Sequence, residues 1–131
     1  MRIVSLLPSA TEIVADLGLL HSLVGRSHEC QWPAGVRAVP AVAASRIDSA
    51  ALDGRPIDEA VRAAVEEGEA LYVVDGELLA ALRPEVIITQ DLCRVCAVAG
   101  EDFGGVGARV ITLGPRTLEE VAESVRYLGR E

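Results

Sequence analysis

The chain opens with MRIVSLLPSATEIVADLG, residues 1–18, and this stretch decides the fold class. Residues 3–7 are apolar and partly β-branched, which is typical of a buried strand. They run directly into residues 8–12, where Ser9 and Glu12 have the spacing of a capping box. Gly18 suits the position just after a helix, where the backbone commonly adopts the left-handed conformation. The stretch therefore predicts one strand that leads into one helix.

The same pattern recurs along the rest of the chain. Further strands are predicted at 23–26, 86–89 and 109–113, and Thr117 with Glu120 forms a second capping box that opens a helix to Leu128. Two more helices are predicted at 56–68 and from Asp75 to Arg83, while 36–44, broken by Pro40, is interpreted as a connection with at most a short edge strand. Alternating strands and helices predict an α/β fold, a three-layer sandwich around a parallel sheet, in a single domain 1–131.

Composition and charge narrow the classes of function. The chain has 131 residues, half of them apolar, and a net charge of −8. An acidic surface repels phosphate backbones, so nucleic acid is excluded as a partner. The apolar run at the N-terminus is too short for a signal-peptide core. We therefore expect a cytoplasmic protein, or an extracytoplasmic one if a leader has been removed.

Polar side chains follow three of the predicted strands. Ser9 follows the first, the loop 27–33 with His28, Glu29 and Trp32 follows the second, and the loop 90–96, which begins with Gln90, follows the buried third. Ligands of parallel sheets gather at the carboxyl ends of the strands, so these residues form a candidate ligand edge. The alternative is that loops of α/β proteins are polar everywhere.

Two residues of the loop 27–33 have specific binding chemistry. His28 can ligate a metal through neutral imidazole or donate a hydrogen bond to a ligand, and otherwise it is a solvated loop histidine. Trp32 can stack on a large planar ligand, or it can plug the edge of the sheet.

The chain has three cysteines, and Cys93 and Cys96 have CxxC spacing. Such a pair can chelate zinc with two further ligands, for which Cys30 and His28 are the soft candidates, or it can exchange disulfides. The remaining interpretation is that Cys93 and Cys96 are small buried residues that pack a loop.

No sequence feature predicts an enzyme. The clusters of glutamate at 66–69 and 119–123 are interpreted as solvated helix faces. The turn after the first strand lacks the glycines that bring the backbone close to a pyrophosphate, which argues against a nucleotide enzyme.

Three segments carry a resemblance to a known family: RIVSLLPSATE at 2–12, LVGRSHECQWP at 23–33 and LRPEVIITQD at 82–91. In order and spacing they resemble the cobalamin-binding and ferric-siderophore-binding proteins of ABC importers. The motif HEC at 28–30 and the segment DLCRVCAV at 91–98 look most like the cobalamin-binding branch.

The resemblance implies a helical-backbone metal-receptor fold, similar to class III periplasmic binding proteins, in which a long helix joins two α/β lobes around the ligand. This chain matches the first lobe, with the start of the interlobe helix at about 117–131. It implies that Ser9, His28, Glu29, Trp32 and Gln90 contact a corrinoid or related metal chelate, and that Glu77 docks on basic residues of an ABC permease. No further cofactor is implied.

Three hypotheses follow. The first is a substrate-binding lobe that carries out no reaction. The second is a small thiol or metal protein that uses Cys93 and Cys96. The third is a lobe fragment that only dimerises and so buries the surface that a missing second lobe would cover.

Overall fold

The computed structural model describes residues 1–46, 54–67, 71–90, 103 and 105–131. These residues form six strands and four helices, with short 3-10 segments at Leu20–Ser22 and Ala34–Ala38. The strands are β1 Ile3–Ser5, β2 Leu23–Ser27, β3 Ala41–Ser45, β4 Tyr72–Val74, β5 Val86–Gln90 and β6 Arg109–Leu113. The helices are α1 Pro8–Asp16, α2 Gly54–Glu67, α3 Gly76–Leu82 and α4 Leu118–Leu128.

The six strands form one sheet in the order β4-β3-β2-β1-β5-β6. All neighbouring pairs are parallel except β3 and β4, which are antiparallel. The predicted α/β class and sheet are therefore confirmed, with the correction that one edge strand is reversed. Such an antiparallel edge on an otherwise parallel sheet is common in large α/β folds.

Side chains alternate between two cores, one on each face of the sheet. Ile3 and Ile88 pack with Val14 of α1 and Leu128 of α4 on one face. On the other face, Val4, Val42 and Ile87 pack with Leu79 of α3 and with Phe103. Because successive residues of a strand point to opposite faces, the continuous apolar runs of β1 and β5 serve both cores. The predicted three layers are thus present.

The start of α1 differs from the prediction. The helix begins at Pro8, its N-cap is Leu7, and no side chain caps it, so the predicted capping box of Ser9 and Glu12 is wrong. Proline at the first helical position supplies the helical φ without needing its missing N–H, which places the helix start before Ser9. At the other end Gly18 has φ +77°, as expected.

Two other helix starts were predicted correctly. The Asp75 carboxylate accepts a hydrogen bond from Leu78 N at 2.9 Å at the start of α3. Thr117 and Glu120 form the predicted capping box of α4. Local side-chain chemistry therefore determines where α3 and α4 begin.

The segment 36–44 contains a strand in the interior of the sheet. Pro40 lies immediately before β3, and its carbonyl accepts a hydrogen bond from Arg26 N. Proline therefore does not interrupt the ladder, and β3 pairs with β2 on one side and β4 on the other. The interpretation of this segment as a connection with an edge strand was wrong, and β4 itself was not predicted.

Among the helices of the described residues, none is long and apolar enough to cross a membrane. The last of them, α4, packs against α1 and covers the core beside β5 and β6. Whether α4 begins an interlobe helix remains a prediction.

Candidate functional site

The carboxyl ends of the parallel strands meet at one edge of the sheet. Ser5 of β1 pairs with Arg26 of β2 and Ile88 of β5, so β1, β2 and β5 end side by side. Gln90, half-buried, ends β5, and Ser9, exposed, lies in the first turn of the helix after β1. The loop 27–33 and Gln90 therefore lie at the same edge of the sheet, as expected. Residues 91–96 lie outside the described part of the chain.

His28 is held by the neighbouring strand β3. Its backbone N–H donates to the carbonyl of Ala43 at 2.9 Å, and its Nδ1 lies 3.3 Å from the same oxygen. The Ala43 carbonyl can accept from Nδ1 in the tautomer that carries the hydrogen on this atom, whereas the Ser27 hydroxyl, 3.5 Å from Nδ1, can donate to it in the other tautomer. Nε2, on the other side of the ring, lies 3.7 Å from Oε1 of Glu29. Because Nδ1 faces Ala43 O and Ser27 Oγ, Nε2 is the ring nitrogen that can reach a metal or a ligand at the edge.

Tyr72 completes this group and was not predicted from the sequence. Its hydroxyl donates to Oε1 of Glu29 at 3.3 Å, and its ring lies 6.0 Å from the His28 ring with a tilt of 46°. The reversed strand β4 is the reason, because it brings its first residue, Tyr72, opposite Ser45 at the end of β3. A short aromatic and β-branched run at 72–74 was the available signal. We call His28, Glu29 and Tyr72 the edge cluster.

Trp32 lies in the same loop as His28 and Glu29. Its side chain is 66% exposed. A tryptophan that plugged the edge of the sheet would be buried, so the structure favours the alternative of an open indole face. Such a face suits stacking on a planar ligand.

A layer of buried polar side chains lies beneath the edge. Thr11 donates its hydroxyl hydrogen to Oγ of Ser5 at 2.8 Å, and both residues are fully buried. Thr89 of β5 and Ser27 of β2 are also buried. No buried side-chain nitrogen or oxygen of the described residues lacks a partner, so the hydrogen-bonding groups of this layer are satisfied.

Cys30 is part of the core and not of the edge. Its thiol is completely buried and lies 3.7 Å from the carbonyl oxygen of Ser5, to which it donates. Burial raises the pKa of this thiol, which keeps it protonated, although a hydrogen bond with Thr11 opposes the shift. Cys30 therefore acts as a small apolar residue and is poorly placed to join His28 as a zinc ligand.

The other predicted metal ligands cannot be placed. Cys93 and Cys96 lie outside the described residues, and within those residues no group of three or more His, Cys, Asp or Glu could hold a metal ion. Glu77, the predicted docking residue, is exposed in the first turn of α3, on the face of the sheet opposite α1 and α4.

Comparison with known proteins gives the fold a context. No family model matches the chain, and no curated protein sequence matches it. Among solved structures, the periplasmic vitamin B12 binding protein BtuF of Vibrio cholerae is similar at a TM-score of 0.67 and 22% identity, over 98% of this chain and 40% of that one. A periplasmic heme-binding protein from Pseudomonas aeruginosa has a TM-score of 0.67 and 25% identity, over 98% and 37% of the two chains.

An ABC transporter substrate-binding protein from Listeria monocytogenes EGD-e is also similar, with a TM-score of 0.62 and 18% identity over 98% of this chain and 39% of that one. The chain thus has the α/β fold of class III periplasmic binding proteins, as predicted, and spans about two fifths of the length of these structures.

Proposed function

We propose that this chain is a ligand-binding lobe of an ABC-importer substrate-binding protein, and that its ligand is a tetrapyrrole-like metal chelate. The proposal depends on one observation. The edge cluster places an imidazole, a carboxylate and a phenol together at the carboxyl edge of a fold that B12-binding and heme-binding proteins share. Ligands of open α/β sheets bind at such an edge.

The edge cluster and Trp32 match the chemistry of such a ligand. The exposed indole offers an apolar plane for the macrocycle. Nε2 of His28 can replace a labile ligand of the central metal, and the Glu29 carboxylate can accept hydrogen bonds from amide side chains of a corrinoid. These residues bind and orient a ligand, and the proposal includes no bond-forming or bond-breaking step.

Among chelates, we propose a corrinoid first and haem second. His28 and Glu29 belong to the motif that resembles the cobalamin-binding branch. Tyr72 favours the second ligand, because a phenolate oxygen is one of the known axial ligands of ferric haem iron. The edge cluster contains donors for both.

A spectroscopic titration tests the proposal and separates the two ligands. The chain has two His and two Tyr, and His21 and Tyr127 are exposed residues outside the edge cluster, so each variant has a matched control. Aquocobalamin should change its visible spectrum with wild type and His21→Ala but not with His28→Ala. Ferric haem should bind more weakly to Tyr72→Phe than to Tyr127→Phe. If neither chelate changes its spectrum or the melting temperature at high protein concentration, the proposal is wrong.

One wall of a cleft covers only part of a large ligand, so we propose that a second lobe or a second copy of this chain covers the other side. Sedimentation velocity over a range of concentrations, with and without ligand, tests the second copy. If the chain stays monomeric at every concentration with ligand bound, and its affinity for the chelate does not depend on protein concentration, a second copy is excluded.

For Glu77 we propose contact with basic residues of an ABC permease. In cells whose chelate uptake requires this protein, Glu77→Arg should reduce uptake while the purified variant binds ligand normally. Glu59→Arg, at an exposed position of α2, is the control. Equal uptake by both variants would contradict the docking role.

A thiol or metal function is the alternative proposal, and it depends on Cys93 and Cys96. The burial of Cys30 removes one of the two further ligands that zinc would need. Metal analysis of freshly reduced protein tests it: stoichiometric zinc or iron would support this alternative, and its absence together with ordinary thiol reactivity would exclude it.

A further inference from the structure

The guanidinium of Arg26, the residue before the loop 27–33, is bound to four main-chain carbonyls. Nε donates to Val39 O at 2.9 Å. Nη1 donates to Ser27 O at 3.0 Å, and to His28 O and Cys30 O at 3.3 Å each. One half-buried side chain therefore connects the end of β2, the turn after it and the segment that leads into β3.

This arrangement determines the shape of the turn. Cys30 N donates to Ser27 O at 3.0 Å, which closes a tight turn over 27–30. Three of its carbonyls direct their negative ends towards Nη1, and parallel dipoles at such short range repel each other unless a cation lies between them. A guanidinium is permanently charged and has five donors in a planar fork, so it can satisfy several acceptors in different directions. A lysine ammonium in the same place has three donors on one atom.

The turn carries two members of the edge cluster. His28 and Glu29 lie between Ser27, where β2 ends, and the buried Cys30. The backbone N–H of Glu29 lies 3.4 Å from Ser27 Oγ. Because the two ends of the turn are anchored, the carbonyls bound by Arg26 determine the direction in which these two side chains leave the backbone.

We infer that Arg26 is a positioning residue for the ligand edge. It holds the turn in the conformation in which His28 Nδ1 lies 3.3 Å from Ala43 O and Nε2 lies 3.7 Å from Glu29 Oε1. Its role in ligand binding depends on the function proposed above, whereas its effect on His28 is a property of the protein without ligand. The two parts can therefore be tested separately.

The variant Arg26→Lys keeps the charge and removes the planar fork. Arg37→Lys is the matched control, since Arg37 is exposed in the second 3-10 segment. Side-chain 15N NMR of the ligand-free protein at mildly alkaline pH reports the tautomer of each imidazole. His21, exposed before β2, is the internal reference. We expect one tautomer for His28 in wild type and Arg37→Lys, an average of both tautomers in Arg26→Lys, and an unchanged His21 in all three proteins.

Ligand binding gives the second measurement. Residues that orient a ligating group typically change affinity by about tenfold or more when they are replaced. We expect Arg26→Lys to weaken binding of aquocobalamin or ferric haem by about that factor, with a smaller spectral change at saturation, and Arg37→Lys to bind as wild type does. Loss of packing alone would not alter the spectrum of the bound chelate.

Two results would overturn the inference. The first is a His28 signal that is identical in Arg26→Lys and wild type, whether or not the protein binds a chelate. The second applies even if Arg26→Lys does not fold, because it is measured on wild type: the Nε–H of Arg26, bound to Val39 O, should exchange with solvent much more slowly than that of Arg37. Equal exchange rates would show that the carbonyl contacts are absent in solution. Failure of wild type to bind either chelate contradicts the proposed function alone.

Discussion

Replacing Gly25 by alanine would force a methyl group into a tightly packed part of the sheet. Gly25 is buried in β2, between β1 and β3. A Cβ at this position would lie 3.0 Å from Val4 Cγ2, 3.1 Å from Leu82 Cδ1 and 3.1 Å from Val42 Cγ1. Ordinary methyl contacts begin near 3.4 Å, so all three neighbours must move. Valine side chains have little rotamer freedom, which makes the movement costly at two of the three contacts.

The expected net effect is a loss of stability. Overpacking of a core typically costs about 1–3 kcal/mol. Alanine loses less backbone entropy on folding than glycine, which returns about 0.5–1 kcal/mol. The difference is about 0–2.5 kcal/mol. Because two of the three contacts are with valine side chains, which can move little, we expect the free energy of unfolding to fall by about 1–2 kcal/mol. At this chain length we expect the melting temperature to fall by about 4–8 °C.

Urea unfolding, followed by circular dichroism, measures this directly. The midpoint should fall in Gly25→Ala while the m-value stays constant. Gly76→Ala, at the first residue of α3, is the control: a Cβ there meets no atom within 4 Å, and alanine is the better helix former. A Gly25→Ala variant as stable as wild type would refute the packing argument.

Three further predictions concern buried or capping groups. Burial raises the pKa of the Cys30 thiol, so the unfolded chain loses this proton at lower pH than the folded protein does. The free energy of unfolding should therefore fall as the pH rises through the thiol pKa of the unfolded chain, about 8.5. The urea midpoint of Cys30→Ala should fall less over this pH range than that of wild type, and an equal fall in both proteins would contradict this. Thr117→Ala removes the cap of α4 and should cost about 1 kcal/mol, and an unchanged urea midpoint would argue against the cap. Thr11→Val leaves buried Ser5 without its donor and should cost about 1–3 kcal/mol, whereas Thr11→Ser, which keeps the hydroxyl, should lie closer to wild type in the same assay.

The central strands could be predicted because they are buried on both faces. A strand such as β5, whose apolar residues contact helices above and below, has an uninterrupted apolar run that no exposed element would carry. The starts of α3 and α4 could be predicted because a cap acts within three residues along the chain. At α1 two local signals competed, and Pro8 determined the start in place of Ser9.

The candidate site was harder to predict, because part of it depends on strand direction. The rule that ligands gather at the carboxyl ends of strands located the loop 27–33 and Gln90. It could not locate Tyr72, which lies at the beginning of its strand and reaches the edge only because β4 is reversed. The burial of Cys30 could not be predicted either, since the sequence does not show which side chain of a loop points into the core.

The pairing of β4 with β3 also limits how this surface can vary. Tyr72 reaches Glu29 because it lies opposite Ser45. If the pairing shifted by one residue, Leu71 or Val73 would lie opposite Ser45 instead, and the side chain of Tyr72 would point to the other face of the sheet. Homologues should therefore tolerate insertions and deletions well before Leu71, where the added length need not alter the pairing. A single inserted residue between Tyr72 and Val74 should abolish the contact while the sheet still forms. In laboratory evolution of ligand preference, the identity of residue 72 and its alignment with residue 45 should change together or not at all.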